Sequence, residues 1–317
     1  MNGATVPIVL RRAGDDRIAG ALYFLRRNPR MIIGGTIVFG WLFVAAFAPF
    51  IAPYDPIKVN VADSLIPPGP AHWLGTDDLG RDVVSRVMWG ARVSLSVGVI
   101  SVSIGLFVGT SIGLAAGYLG GKFDLLAMRV IDALLAFPAL ILAIAITSAL
   151  GPQIQNAMIA IGIVAIPAYA RLTRGQVLAV RARDFIVAAR TVGCPPLRIV
   201  LRHILPNVMN ALIVQATLST AFAILAEAAL SFLGLGPQPP YPSWGQDINY
   251  SQRYLPNLKW WMSVGPGVAI FTAVFGFNLL GAALRDALDP RLRRSGGATR
   301  APRSSAVLRG PPPNGGS

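Results

Sequence analysis

The feature that most constrains the fold of this chain is a series of six long apolar runs. A helix needs about 20 apolar residues to cross the roughly 30 Å hydrocarbon core of a bilayer. Each run is near this length, and only the fifth contains a charged residue, Glu227. We therefore predict an all-α membrane protein with six transmembrane helices. The runs are Met31–Ile51, Val93–Gly117, Ala133–Leu150, Ile154–Ala170, Val208–Leu233 and Met262–Leu284.

Two of these runs need comment. The first exceeds the apolar core of about 7–15 residues that is typical of a cleaved secretory signal. We therefore interpret Met31–Ile51 as a retained span. In the fourth, Pro167 interrupts the apolar run, and Arg171 is predicted to end it.

The distribution of charge predicts the orientation of the spans. The chain has 28 Lys and Arg against 14 Asp and Glu, which gives a net charge of +14. In a soluble protein this excess would suggest nucleic-acid binding. Only 13% of the residues are charged, however, against about 25% in soluble domains. The basic residues are concentrated in both tails and after the second and fourth runs. Because such segments stay in the cytoplasm, we predict a multi-pass membrane protein with a defined orientation. Both termini are then cytoplasmic, the chain contacts lipid, and no nucleic-acid partner is expected.

These features divide the chain into four parts. Residues 1–30 form a predicted cytoplasmic tail, and residues 31–92 form the first transmembrane helix with an external loop. Residues 93–290 form a core of five transmembrane helices that includes a long connection at 171–207. The basic tail at 291–317 is predicted to be disordered, because its Gly, Pro, Ser and Arg residues can bury little apolar area.

The connection at 171–207 is the most informative part of the sequence. It is long for a helical bundle, and a first short helix can end at Gly193. Pro196 suits the start of a second helix, and Pro206 is predicted to end it. This second helix can lie on the lipid surface or dock into a groove of another protein. Its apolar stripe, at helical spacing, consists of Leu197, Val200, Leu201 and Ile204.

The same connection resembles the EAA motif in permease subunits of bacterial ABC importers. That motif reads Glu-Ala-Ala, three residues, Gly, nine residues, Ile, any residue, Leu-Pro. This chain departs from it at Val187, which replaces Glu, and at His203, which replaces Ile. The resemblance implies a cytoplasmic coupling helix that sits in a cleft of an ATPase subunit. The candidate coupling residues are Ala188, Ala189, Arg190, Gly193, Arg198, Arg202, Leu205 and Pro206.

Further stretches, in chain order, resemble the second permease of the oligopeptide, dipeptide and nickel class of importers. The resemblance implies an importer-type permease bundle that lies in the bacterial cytoplasmic (inner) membrane and pairs with a second permease. It also implies two cytoplasmic ATP-binding subunits, an external substrate-binding protein, and peptides or a small solute such as nickel as substrate. The stretches are Arg27–Pro29, Ala48–Pro53, Leu74–Asp82, Ala136–Pro138, Glu227–Gly236, Pro242–Gly245 and Leu284–Arg291.

The sequence contains no constellation typical of an enzyme. Gly120-Gly121-Lys122 lacks the upstream Gly and the following Ser or Thr of a phosphate-binding loop. ATP hydrolysis is therefore assigned to partner subunits, and the chain is predicted to be non-catalytic and to need no cofactor. Cys194 is the only cysteine, and the only histidines are His72 and His203, so no metal site is predicted.

Glu227 invites an alternative function. Acids within membrane spans often serve transport, and an ion-gradient-driven secondary transporter would place such acids near the midplane. At a rise of 1.5 Å per residue, however, Glu227 lies about 28 Å from Val208, near the outer face. We therefore expect a structural carboxylate bonded to a neighbouring helix or loop. A role in the outer gate or translocation path is the alternative hypothesis.

Two further sets of charges lie outside the runs. The acidic cluster at 77–82, which includes Arg81, is expected to form a salt-bridged external loop rather than a metal site. This loop is also a candidate contact for the substrate-binding protein. Asp132 is expected either to pair with Arg129 or to remain a solvated charge at a helix end.

Overall fold

The structure, a computed structural model, describes residues 28–288. The predicted tails at 1–30 and 291–317 therefore lie almost entirely outside the described residues. No strand occurs between residues 28 and 288, where nine α-helices account for most of the chain and a long connection at 52–82 joins the first two. The helices are α1 (Pro29–Ile51), α2 (Val83–Leu119), α3 (Gly121–Leu135), α4 (Ala139–Leu150), α5 (Ile154–Arg181), α6 (Asp184–Thr191), α7 (Pro196–Phe232), α8 (Trp244–Ser251) and α9 (Trp261–Leu288).

Five of these helices (α1, α2, α5, α7 and α9) are long and apolar enough to cross a membrane. The predicted third span is not one straight helix, because α3 and α4 meet at an angle of 89°. Pro138 lies at the break and disfavours helical geometry in the residue before it. With 12 residues, α4 is about 18 Å long and too short to cross alone. The membrane fold with up to six spans is confirmed, and its third span is broken.

The second helix begins ten residues before the predicted start at Val93. The side chain of Asp82 caps it by accepting a hydrogen bond from the backbone N–H of Ser85 at 2.8 Å. With 37 residues, α2 is about 55 Å long, well beyond the hydrocarbon thickness. Its first turns, including Arg86, therefore form part of a polar cap on the bundle.

Two predicted helix ends are wrong. The fourth span does not stop at Arg171 but continues through Pro167 to Arg181. The second helix of the 171–207 connection does not end at Pro206 but runs on as α7. A π-helical turn at Ile199–Ile204 precedes this proline. The wider turn shifts the hydrogen-bond register, so that the missing N–H of the proline and its ring are accommodated.

A glycine seam joins α2 to α5, and the two helices run parallel. Glycines at every fourth position of α2 face successive turns of α5. A Cβ atom on Gly109 would lie 2.5 Å from the Ile166 oxygen, and one on Gly113 would lie 2.5 Å from the Ala170 oxygen. Small residues at this spacing let helices approach closely in membranes. The four glycines are Gly105, Gly109, Gly113 and Gly117.

Candidate functional site

The end of the bundle where α1 and α7 begin and α2 and α5 end carries most of the arginines, and we call it the basic end. At this end, residues 182–206 link α5 to the membrane-spanning part of α7. This 182–206 segment consists of α6, the turn after it and the first turns of α7. Three buried isoleucines, Ile186, Ile199 and Ile204, anchor this connection to Val177 and Val180 at the end of α5. The 182–206 segment is therefore part of the folded core at this end.

The turn between α6 and α7 is a helix-ending motif centred on Gly193. Its φ of +76° is in the left-handed region, which favours glycine. The N–H of Gly193 donates to the Arg190 oxygen at 2.9 Å, and the N–H of Cys194 donates to the Ala189 oxygen at 3.0 Å. These two bonds form a Schellman motif, which reverses the chain sharply. The predicted pair of helices joined by a glycine turn is therefore present.

The predicted coupling residues divide into two groups. Ala189 and Leu205 are half-buried and pack against the core, so they anchor the segment. The other six are exposed together on its surface. Three exposed apolar residues lie beside them: Val192 (82% exposed), Leu197 (69%) and Leu201 (52%). The predicted coupling residues did not include them, although the two leucines belonged to the predicted apolar stripe. The exposed candidates are Ala188, Arg190, Gly193, Arg198, Arg202 and Pro206.

The predicted apolar stripe of the second helix is split by the structure. Val200 and Ile204 point toward the core, whereas Leu197 and Leu201 point away from it. The i, i+4 pairing of the two exposed leucines was visible in the sequence. Which half of the stripe would remain uncovered depended on packing against α5.

Arginines of α5 and α6 brace the basic end. Arg181 donates to the backbone oxygen of Tyr118 at 3.0 Å, and the guanidinium of Arg190 lies 5.5 Å from the Tyr118 ring centre. Arg174 pairs with Asp124 in α3, with bonds of 2.5 and 2.7 Å. These contacts tie the 182–206 segment, α2, α3 and α5 into one unit.

The suggested pairing of Asp132 with Arg129 is wrong. Asp132 pairs with Arg171 of α5 instead, at 2.5 Å. Residues 129 and 132 are one turn apart on α3, whereas α5 crosses beside Asp132. Helix crossing, which no local pattern reveals, therefore decides the partner.

Glu227 is fully buried between α7 and α2. Its Oε2 accepts a hydrogen bond from the Ser94 hydroxyl of α2 at 2.7 Å, and its Oε1 accepts one from the Ser231 hydroxyl at 2.6 Å. The carboxyl group is thus bonded to a neighbouring helix. The sequence contains Ser94 and Ser231, but only the packing of α2 against α7 brings Ser94 to Glu227.

Replacing Glu227 by leucine is expected to destabilise the protein, because it leaves the Ser94 and Ser231 hydroxyls without their acceptor. An unsatisfied buried polar group costs about 1–3 kcal/mol. Glu227→Gln keeps an acceptor and is expected to be much milder. Thermal unfolding of the detergent-purified protein measures both variants. A loss of transport in Glu227→Gln at unchanged stability would instead support a role for Glu227 in the outer gate.

A second polar cluster lies at the opposite end of the bundle, as the 77–82 sequence suggested. Arg81 donates to Asp77 at 2.6 Å, which confirms the salt-bridged loop. Arg86 of α2 donates to Asp247 of α8 through two of its nitrogens and to the Pro56 backbone oxygen at 3.1 Å. Burial raises the pKa of the Asp247 carboxyl, and the neighbouring positive charge of Arg86 opposes this shift.

At the same end of the bundle, Trp244 also holds α8 in place. Trp244 is fully buried, and its indole N–H donates to the Val87 oxygen at 2.9 Å. Its ring meets Trp41 of α1 edge-to-face, with ring centres 5.0 Å apart.

Among residues 28–288, no three His, Cys, Asp or Glu side chains converge as metal ligands would.

These features define a multi-pass helical membrane protein with a braced helical segment exposed at one end. Residues 109–294 match the family described as the binding-protein-dependent transport system inner membrane component. Residues 18–68 match the N-terminal transmembrane domain of oligopeptide transport permease C. The chain belongs to this permease family and is a membrane permease subunit of an ABC importer. This assignment favours the importer over the secondary transporter that the sequence had left as an alternative.

Several relatives align with most of this chain. It is 45% identical to the dipeptide transport system permease protein of Alkalihalophilus pseudofirmus, over 85% of this chain and 88% of the relative. It is 47% identical to a di/tripeptide transport system permease protein of Pseudomonas aeruginosa, over 80% and 86%. It is 41% identical to a glutathione transport system permease protein of Pectobacterium atrosepticum, over 85% and 89%.

Proposed function

We propose that this chain is a non-catalytic permease subunit that moves short peptides through a path formed with a second permease. Two cytoplasmic ATP-binding subunits would drive it, and an external binding protein would deliver the substrate. The peptide class is taken from the names of relatives that transport dipeptides, tripeptides and glutathione. The observation that carries the coupling role is the exposed apolar and basic face of the anchored 182–206 segment.

The way the segment joins the bundle supports a lever mechanism. It connects α5 to α7 directly, and α7 continues without interruption from Pro196 to Phe232. A displacement of the segment by closing ATPases would therefore move both helices. Arg181 and Arg190 would pass the motion to α2 through their contacts with Tyr118. Rigid elements with such direct connections can carry a switching motion across a protein.

The orientation follows from the same proposal. The 182–206 segment must face the cytoplasm to meet an ATPase, which agrees with the bias of Lys and Arg toward cytoplasmic segments. Both termini then lie on the cytoplasmic side. The 77–82 loop and α8 then face outward, where they are positioned to meet the binding protein.

Ala188→Trp tests the coupling role. Ala188 is exposed on α6, so a larger side chain there is compatible with the fold of the chain. We expect the variant to keep the second permease but to lose the ATP-binding subunits during purification in mild detergent. Peptide uptake should fall by about tenfold or more, because without docked ATP-binding subunits nothing drives the permease.

Lys122→Trp is the matched control, since Lys122 is exposed on α3 at the same end of the bundle. It should retain both the ATP-binding subunits and uptake. Normal subunit composition and uptake in Ala188→Trp would show that this face of α6 does not dock the ATPase. Mass spectrometry of the purified complexes measures the composition.

A further inference from the structure

A groove opens within the membrane-spanning part of the bundle. It has a volume of about 320 Å³ and is bordered by α2, the α3–α4 bend, α5 and α7. Most of its lining is apolar, including Val102, Ile161 and Phe222. The polar side chains in its lining are Ser101, Gln215 and Ser219. An apolar groove with a few polar groups is the usual form of a site for a small molecule.

The polar groups at this groove differ in how well they are bonded. Ser101 is satisfied, because its hydroxyl donates to the Met158 oxygen at 2.9 Å. The side-chain nitrogen of Gln215 donates to the Ser219 hydroxyl at 3.1 Å. Among residues 28–288, no donor reaches the Gln215 side-chain oxygen. Next to Ser219, the fully buried Tyr169 hydroxyl has no hydrogen bond of normal geometry.

The position of Gln215 makes lipid an unsuitable neighbour. It lies about midway along α7, roughly 28 Å from Pro196 and 26 Å from Phe232. An amide placed in an apolar medium without a hydrogen-bond partner is strongly unfavourable. On the same helix, Thr217 avoids this cost by donating to the Ile213 backbone oxygen at 3.0 Å. Gln215 lines the groove, and among residues 28–288 its side-chain oxygen accepts no hydrogen bond, so a polar partner is expected there.

We propose that Gln215, aided by Ser219, contacts the backbone amide of the transported peptide in this groove. This inference rests on the proposed function in peptide transport, and it names residues that line the path of the peptide. A carboxamide offers one donor and one acceptor side, which complement the acceptor and donor of a peptide bond. The apolar remainder of the groove accepts side chains of varied shape. The site therefore recognises what all peptides share.

Gln215→Leu is the test, with Thr217→Val as the matched control. Both remove a polar group from α7 at similar depth, but Thr217 does not line the groove. The complete importer is reconstituted in liposomes, and uptake is measured for dialanine and for dialanine methylated on its peptide nitrogen. We expect Gln215→Leu to lower dialanine uptake about tenfold and to reduce the preference over the methylated analogue. Thr217→Val should match the wild type in both respects.

Three other outcomes would overturn this inference. If the wild-type complex imports dialanine and Gln215→Leu behaves like Thr217→Val, this inference is wrong while the proposed function stands. If the wild-type complex imports no peptide, the proposed function fails and this inference fails with it. If Gln215→Leu loses the second permease, the groove is a subunit interface and the inference is overturned.

A labelling experiment tests the same site without measuring transport. Ser219→Cys is introduced together with Cys194→Ala, which removes the only native cysteine of this chain. In the reconstituted complex, a water-soluble maleimide should modify Cys at this position, and dialanine should slow the reaction. A position that never reacts, or that reacts equally with and without dialanine, would contradict the proposed contact.

Discussion

We expect Gly113→Leu to abolish correct assembly of the helix bundle. Even the first carbon of a side chain at Gly113 would lie 2.5 Å from the Ala170 backbone oxygen and 2.6 Å from the Thr173 Cβ. Ordinary overpacking of a core costs about 1–3 kcal/mol. Here the obstacle is helix backbone, which cannot rotate away, so α2 and α5 must separate along several turns. The loss should exceed that range.

The measurement is the yield of membrane-inserted protein that elutes as a single species in mild detergent. Gly40→Leu is the control, because Gly40 lies in the apolar helix α1 with no atom within 4 Å of its added Cβ. Gly40→Leu should be produced like the wild type. If Gly113→Leu eluted as the same single species, α2 and α5 would not be in close contact.

The second large effect is expected for Arg86→Met. Arg86 is buried, the side chain of Asp247 is only 10% exposed, and their ion pair links α2 to α8. Removing one partner of a buried ion pair typically costs about 3–5 kcal/mol, since the remaining charge is left without compensation. The second oxygen of Asp247 already has no hydrogen-bond partner among residues 28–288. Arg86→Met should therefore lower the midpoint of thermal unfolding strongly.

Two comparison variants make this prediction specific. Arg92→Met removes an exposed arginine of the same helix, which lies over Trp89 at 5.3 Å, and should have a small effect. The double variant Arg86→Met/Asp247→Leu removes both charges and should recover part of the lost stability. An Arg86→Met protein as stable as Arg92→Met would contradict the role of the ion pair.

The Arg86→Met variant should also acquire a marked pH dependence. Burial raises the pKa of the Asp247 carboxyl, and without Arg86 nothing as close opposes that shift. The folded state then holds a proton more tightly than the unfolded chain. Its stabilisation is present at low pH and is lost as the pH rises through the folded-state pKa. Thermal unfolding at about pH 5 and about pH 8 should show the larger deficit at the higher pH.

Much of the architecture was predictable because it depends on short stretches of sequence. The length and apolarity of the runs predict membrane helices directly, since the bilayer sets a minimum length. The motif around Gly193 predicted the sharp turn, because a left-handed φ favours glycine wherever it occurs. The four glycines of α2 at i, i+4 spacing could also have predicted a close helix contact, and this signal was missed.

Helix ends were predicted less well where two local rules competed. Pro206 normally ends or kinks a helix, yet the π-helical turn before it allows α7 to continue. Pro167 likewise lies inside α5, which runs on to Arg181. Packing against neighbouring helices stabilises both continuations. Such stabilisation has no signature in the residues next to a proline.

The sequence by itself determined the class of this protein: its membrane spans, its bias of basic charge and the motif of its permease family. The tertiary structure alone decided the partners of its polar side chains. Ser94 and Glu227, and likewise Arg86 and Asp247, are more than 130 positions apart. Apolar periodicity identifies the face of a helix, but the partner of a side chain depends on the rotation and depth of two helices together. Those are set by the packing of the whole bundle.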